Sequence, residues 1–199
     1  MTKKIIKILA VLSTLIIIFC IYLVVFGLET TRFNSLINKE VKNKNNRLSI
    51  DLKKVKLHLN LKNFSLKIKT NDPILIIDKD KKILLKEISS NIKITSYFQN
   101  KFLLSKITII TSDNEIKKYL DLYSLFERTP QVILLNQFVK KGNLKFKANI
   151  NFNKNGKIKD NYQIEGEAKN IDFNILKFQK IKNLNFDFDI KKNIYDFKE

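Results

Sequence analysis

The chain has no tryptophan, one cysteine, one histidine, two prolines and four glycines among its 199 residues. A single cysteine excludes a disulfide within the chain. Together with a single histidine it also excludes a zinc site built from Cys and His ligands. Cys20 falls inside an apolar run, where a thiol behaves as a small hydrophobe. One histidine cannot supply both a catalytic triad and a metal shell. Scarce glycine and proline exclude collagen-like and low-complexity classes, and no glycine-rich phosphate loop occurs. Glu165 and Glu167 share one face of one strand beside lysines, which reads as a solvated face rather than an acid–base pair. Neither catalysis nor a metal or cofactor is expected.

Lysine, asparagine and isoleucine are what the chain has in excess. The formal charge is +19, with 44% hydrophobic residues, too apolar for a disordered polycation. A nucleic-acid interface would gather the cations on one face. Here they are spread through almost every segment, alternating with Ile, Leu and Phe, so they read as outward strand positions and no nucleic-acid partner is expected.

Residues 8–28 contain no charge. As a helix these 21 residues span about 31 Å, the thickness of a bilayer core. Ser13 and Thr14 can bond back to the helix backbone. Lys3, Lys4 and Lys7 precede the run and Glu29 follows it, which places the N-terminus in the cytoplasm and the remainder outside. Phe26-Gly27-Leu28 offers no small-x-small cleavage site, and Phe19 before Cys20 does not suit a lipoprotein signal. The expected organisation is a cytoplasmic N-terminus and uncleaved anchor over 1–29, a short amphipathic helix over 30–47, and a β-rich domain over 48–199.

In the second segment Phe33, Leu36, Ile37 and Val41 share a helical face, and Asn43 to Arg47 ends it, Asn tolerating a left-handed terminus. This helix either packs over the mouth of the following sheet or lies on the membrane surface. From Leu48 the period becomes two: Leu48, Ile50, Leu52, then, one residue out of phase, Val55, Leu57, Leu59 and Leu61. Such a slip marks a bulge or strand break near Lys53-Lys54. His58 alternates with Leu57 and Leu59, a solvated strand position. Short strands are predicted over 66–68, 74–77, 83–85, 92–94, 102–104 and 107–110. Ser112 to Glu115 has the form of a capping box for a helix carrying Ile116, Tyr119, Leu120 and Tyr123. From Pro130 to Phe138 helix and strand remain equally open.

The last third alternates most strictly. Leu144, Phe146, Ala148, Ile150 and Phe152 interleave with Lys and Asn. The Asn153 to Gly156 segment supplies a turn, and Tyr162, Ile164, Gly166 and Ala168 return. Leu184, Phe186, Phe188 and Ile190 alternate again. Leu144, Phe146, Ala148, Ile150, Phe152, Ile164, Leu184, Phe186, Phe188 and Ile190 are therefore expected to share one apolar sheet face. The chain stops as though another strand were due, which suggests part of a longer protein. The fold expected is mainly β, a curled antiparallel sheet with one or two short amphipathic helices behind a transmembrane helix. The same alternation would serve a closed sandwich core equally well.

The order of anchor, short helix and long alternating runs resembles the N-terminal region of AsmA-like envelope proteins, the group that includes the TamB and YhdP types. The residues carrying the resemblance are Phe33-x-x-Leu36-Ile37, the Leu48 to Leu57 run, Asn71-Asp72-Pro73-Ile74-Leu75 and Ser112 through Tyr123. Asn45-Asn46-Arg47 stands where that family commonly has a glycine. The resemblance implies a periplasmic β-groove on the inner membrane whose apolar face carries phospholipid acyl chains toward the outer membrane. The partners implied are membrane phospholipid and an envelope protein. The ten residues named above would then be lipid-facing. A non-enzymatic scaffold for outer-membrane protein assembly or secretion is the competing expectation.

Overall fold

The structure is a computed structural model and describes residues 2–94, 104–153, 155–176, 179–192 and 194–198. Helix α1 (Thr2–Val25) is apolar on every side and exposed except at Cys20 and Leu23. It is long and apolar enough to cross a membrane. Thr14 donates its hydroxyl to Ala10 O at 2.9 Å, so this polar side chain is satisfied within the helix.

Beyond α1 the chain is an open, mainly antiparallel sheet with short helices. Its elements are β1 (Leu28–Thr30), α2 (Asn34–Lys44), β2 (Leu48–Asp51), β3 (Val55–Asn60), β4 (Ser65–Asn71), β5 (Ile74–Ile77), β6 (Lys81–Lys93), β7 (Leu104–Thr111) and β8 (Asn114–Glu115). Then come α3 (Ile116–Ser124), α4 (Pro130–Phe138), β9 (Val139–Asn151), β10 (Gln163–Leu176), β11 (Gln179–Lys191) and β12 (Ile194–Lys198). The main path runs β1-β3-β4-β6-β7-β9-β10-β11-β12, with β1 and β12 as its two edges. β2 and β5 pair with each other, and β5 pairs with the first half of β6. Gly27 makes the sharp passage from α1 into β1 at φ +72°, and a Cβ there would meet Leu57 O and the His58 ring at 2.8 Å.

Several sequence expectations change. Of the two readings of the phase slip at Lys53-Lys54 the strand break holds, because β2 pairs with β5 while β3 pairs with β1 and β4. The segments 83–85 and 92–93 belong to one strand, β6, which ends at Lys93. β6 leaves the small sheet and joins the main one, and the apolar positions it turns to the core shift from the buried Ile83 and Leu85 to the half-buried Ile88. Residues 102 and 103 lie outside the described residues, and Leu104 opens β7. The capping box does not form: α3 has no side-chain cap. Asn114 turns inward instead and holds both backbone groups of Leu84 at 2.8 Å. Asn45 ends α2 in an extended conformation, and its side chain donates to Leu125 O. The stretch from Pro130 is helical, capped by Thr129, whose hydroxyl accepts from the Val132 N–H.

Two clusters make the core. Leu48, Ile77, Ile83 and Leu85 form one. Ile50, Leu52, Val55 and Leu57 form the other, with Ile37 and Val41 of α2 against it. The short helix thus packs on the sheet through Ile37 and Val41. Val55 and Ile77 are fully buried; truncating such a side chain to Ala costs about 2–5 kcal/mol.

Candidate functional site

Residues opposite one another in an antiparallel ladder point to the same face. One rung of the main sheet reads Thr30, Val55, Thr70, Ile88, Ile109, Ala148, Ile164, Ile190. The next reads Leu28, Leu57, Ile68, Ser90, Ile107, Ile150. One nearly continuous apolar face therefore crosses eight strands, from β1 to β11.

The alternate positions make the opposite face, and it is laced with charge. Lys69 pairs with Glu87 at 2.8 Å, Lys147 with Glu165 at 2.8 Å, Lys169 with Glu167 at 3.0 Å, and Lys145 also with Glu167. Burial works against the Glu87 carboxylate, yet the Lys69 bond holds its pKa below the usual value. Lys145 and Lys169 lower that of Glu167. Exposed pairs such as Lys147–Glu165 contribute about 0–1 kcal/mol each. Their consequence is orientation: this face stays in water, and register is fixed by sign. His58 lies on it opposite Lys67, as its alternation implied.

The apolar face has two zones. In the first, a cavity of about 650 Å³, open on one side, lies between α2 and the sheet. Leu36, Ile37 and Val41 of α2 form its roof; Ile68, Ile88 and Ile107 are part of its floor. Glu40 and Lys44 bring the charge to its wall. Packed interiors rarely hold voids larger than a water molecule, whereas small-molecule sites run to about 300–1,000 Å³. This volume belongs to the second class.

The second zone holds the residues singled out from the sequence. Leu144, Phe146 and Ala148 lie opposite Ala168, Gly166 and Ile164, which in turn face Phe186, Phe188 and Ile190. Leu184 lies opposite Ile171 beyond a register shift and keeps the parity of Phe186. Ile150 faces Ile107, and Phe152 lies just past β9 in a bridge with Ile158. Gly166 lets the rings close up: a Cβ there would come within 2.7 Å of Phe188 Cζ and 2.8 Å of Phe146 Cβ. Phe146 also meets Tyr119 of α3, with ring centroids 5.3 Å apart. Burial raises the Tyr119 phenol pKa against hydrogen bonds from Thr111 and Asn114. Phe146 is thus partly a packing residue. Ala148 is buried, and the other nine of the ten are half-buried.

None of the ten lines the α2 cavity. The two zones join through Ile107 opposite Ile150 and Ile109 opposite Ala148. The lining of the first zone was present in the sequence as the α2 stripe and the Ile50, Leu52, Val55 alternation. Among the described residues no three His, Cys, Asp or Glu side chains gather where a metal could be held.

No protein-family model, curated protein or solved structure matches the chain.

Proposed function

We propose that this chain is a membrane-anchored lipid-handling protein of the AsmA-like kind, non-catalytic, whose apolar sheet face holds phospholipid acyl chains. In this reading α1 crosses the inner membrane with its N-terminus in the cytoplasm, and the β domain stands in the periplasm and serves outer-membrane biogenesis. One observation carries it: an apolar face that crosses the open sheet and begins in a cavity of about 650 Å³ beneath α2. Covering such side chains with hydrocarbon contributes roughly 1.5–3 kcal/mol for each one fully buried. The ion-paired opposite face keeps the sheet in water while its inner face is loaded.

A scaffold role is the second reading. It is favoured by Phe126, Ile133 and Leu134 around α3 and α4, which are 57%, 52% and 46% exposed and would suit a protein partner. Native mass spectrometry of the detergent-purified full chain separates the two. Lipid handling predicts phospholipid adducts that are reduced by Ser90→Leu, a substitution in the cavity wall. Lipid around α1 is common to both chains and cancels in the comparison. Equal lipid on the two chains counts against the proposal.

A further inference from the structure

The tip of the β3–β4 hairpin has two features the sheet does not require. Leu61 and Phe64 are 49% and 62% exposed. Phe64 also holds φ +44°, a left-handed conformation that Gly and Asn adopt far more readily than a bulky side chain. The Phe64 N–H donates to Leu61 O at 3.4 Å and its carbonyl accepts from the Ile94 N–H at 3.0 Å, so the backbone is tied on both sides. An exposed aromatic in a strained turn calls for a contact outside the sheet.

The register fixes where this tip lies along α1. β1 follows α1 after two residues, and β3 pairs antiparallel with it, Leu28 opposite Leu57, while also packing against α1. Leu61 is four residues past that rung, about 13 Å back along α1 at 3.3 Å per residue. Cys20 is eight residues before Leu28, about 12 Å at 1.5 Å per residue. α1 packs against β3. Cys20 and Leu23, one helical turn apart, are its half-buried positions. The helix and the strand thus give the same depth independently. The charge-free run of 21 residues needs nearly all its length to cross a core of about 30 Å. With Leu28 at the boundary, the level of Cys20 lies within the leaflet on the domain's side.

We propose that the β3–β4 hairpin is a second membrane element, with Leu61 and Phe64 inserted into that leaflet beside α1. The rung just above the tip is Leu59, Leu66, Ile92 and Leu104 on the inner face. The apolar face consequently opens onto acyl chains rather than onto water. The inference rests on α1 spanning a bilayer. It stands whether or not the domain transfers lipid.

The chain has no tryptophan, so one substitution gives a unique fluorophore. The full chain is reconstituted into phosphatidylethanolamine–phosphatidylglycerol vesicles carrying brominated acyl chains, which quench only a buried indole. Tyr22→Trp in α1 reports insertion. Phe64→Trp and Leu61→Trp should be quenched to an extent approaching Tyr22→Trp. Phe126→Trp, beside α4 at the far end of β9, should stay unquenched. Quenching at Phe64 and Leu61 no greater than at Phe126 overturns the proposal. Equal quenching at all four positions overturns it as well, because the domain would not stand as the register requires. Adding Phe64→Asn, which suits the turn, to the Leu61→Trp chain should preserve the far-ultraviolet circular dichroism and reduce the quenching. Unchanged quenching would show that Phe64 is not the insert.

Discussion

Ser90 separates an unfilled groove from a closed core. It lies on the inner face between Ile68 and Ile107 and lines the cavity under α2. Ser90→Leu replaces one hydroxyl oxygen with three carbons. At about 0.8 kcal/mol per buried methylene, and with room already present, the empty domain should gain about 1–2 kcal/mol. The same three carbons exclude about three methylenes of a bound acyl chain, about 2.4 kcal/mol, or about 50-fold in affinity. Thermal unfolding of the solubilised full chain reads the first quantity. Displacement of a fluorescent fatty acyl probe reads the second. The expected signature is a higher melting temperature with weaker lipid binding. If the space were a filled core, the extra carbons would overpack it and cost about 1–3 kcal/mol instead. A lower melting temperature with unchanged lipid affinity would refute the reasoning.

Phe146 and Phe188 should differ when each is changed to Glu: Phe146, packed on Tyr119, should lose the fold, while Phe188→Glu should accumulate normally and lose lipid, as protease resistance and lipid content will show. Asn114→Ala strands the Leu84 N–H, while Leu84 O keeps the Ser112 N–H at 3.0 Å, so denaturant titration should show a loss of about 1–3 kcal/mol. The Asp172 carboxylate is held below its usual pKa first by the Asn183 N–H at 2.9 Å, against burial, and then by Lys141 at 3.3 Å. A lowered folded pKa stabilises above the unfolded value near 3.9 and is lost as pH falls through the folded one. Asp172→Asn should therefore flatten the acid limb of a melting-temperature profile below about pH 4 and leave its shape above pH 6 unchanged.

The β9 to β11 face was legible because each apolar position there is flanked by Lys, Asn, Asp or Glu, so period two has one solution. The boundaries of β6 were not, because the strand changes sheets near Lys86 and its inward parity changes with it. One strand then reads as two. The Ser112 to Glu115 pattern was chemically sound as a local cap. A non-local partner, the Leu84 backbone, took Asn114 instead, and nothing in a linear reading supplies that competitor. The cavity follows from how far α2 stands from β4, β6 and β7. That separation is set by the strand break at Lys53-Lys54 and by the Asn34 side chain, which donates to Leu52 O at 2.6 Å. The stripe on α2 announced an apolar face without showing that part of it would meet open space.

In the proposed function one face of this sheet touches acyl chains and the other does not. Photo-crosslinkers placed singly in the full chain in membranes test it directly: at Ile88 in the cavity floor, at Phe188 on β11, and at the adjacent exposed Asp187. Phospholipid adducts are expected at Ile88 and Phe188 and none at Asp187. Adducts at Asp187 as strong as at its neighbour, or none at any of the three in a folded chain, would contradict it.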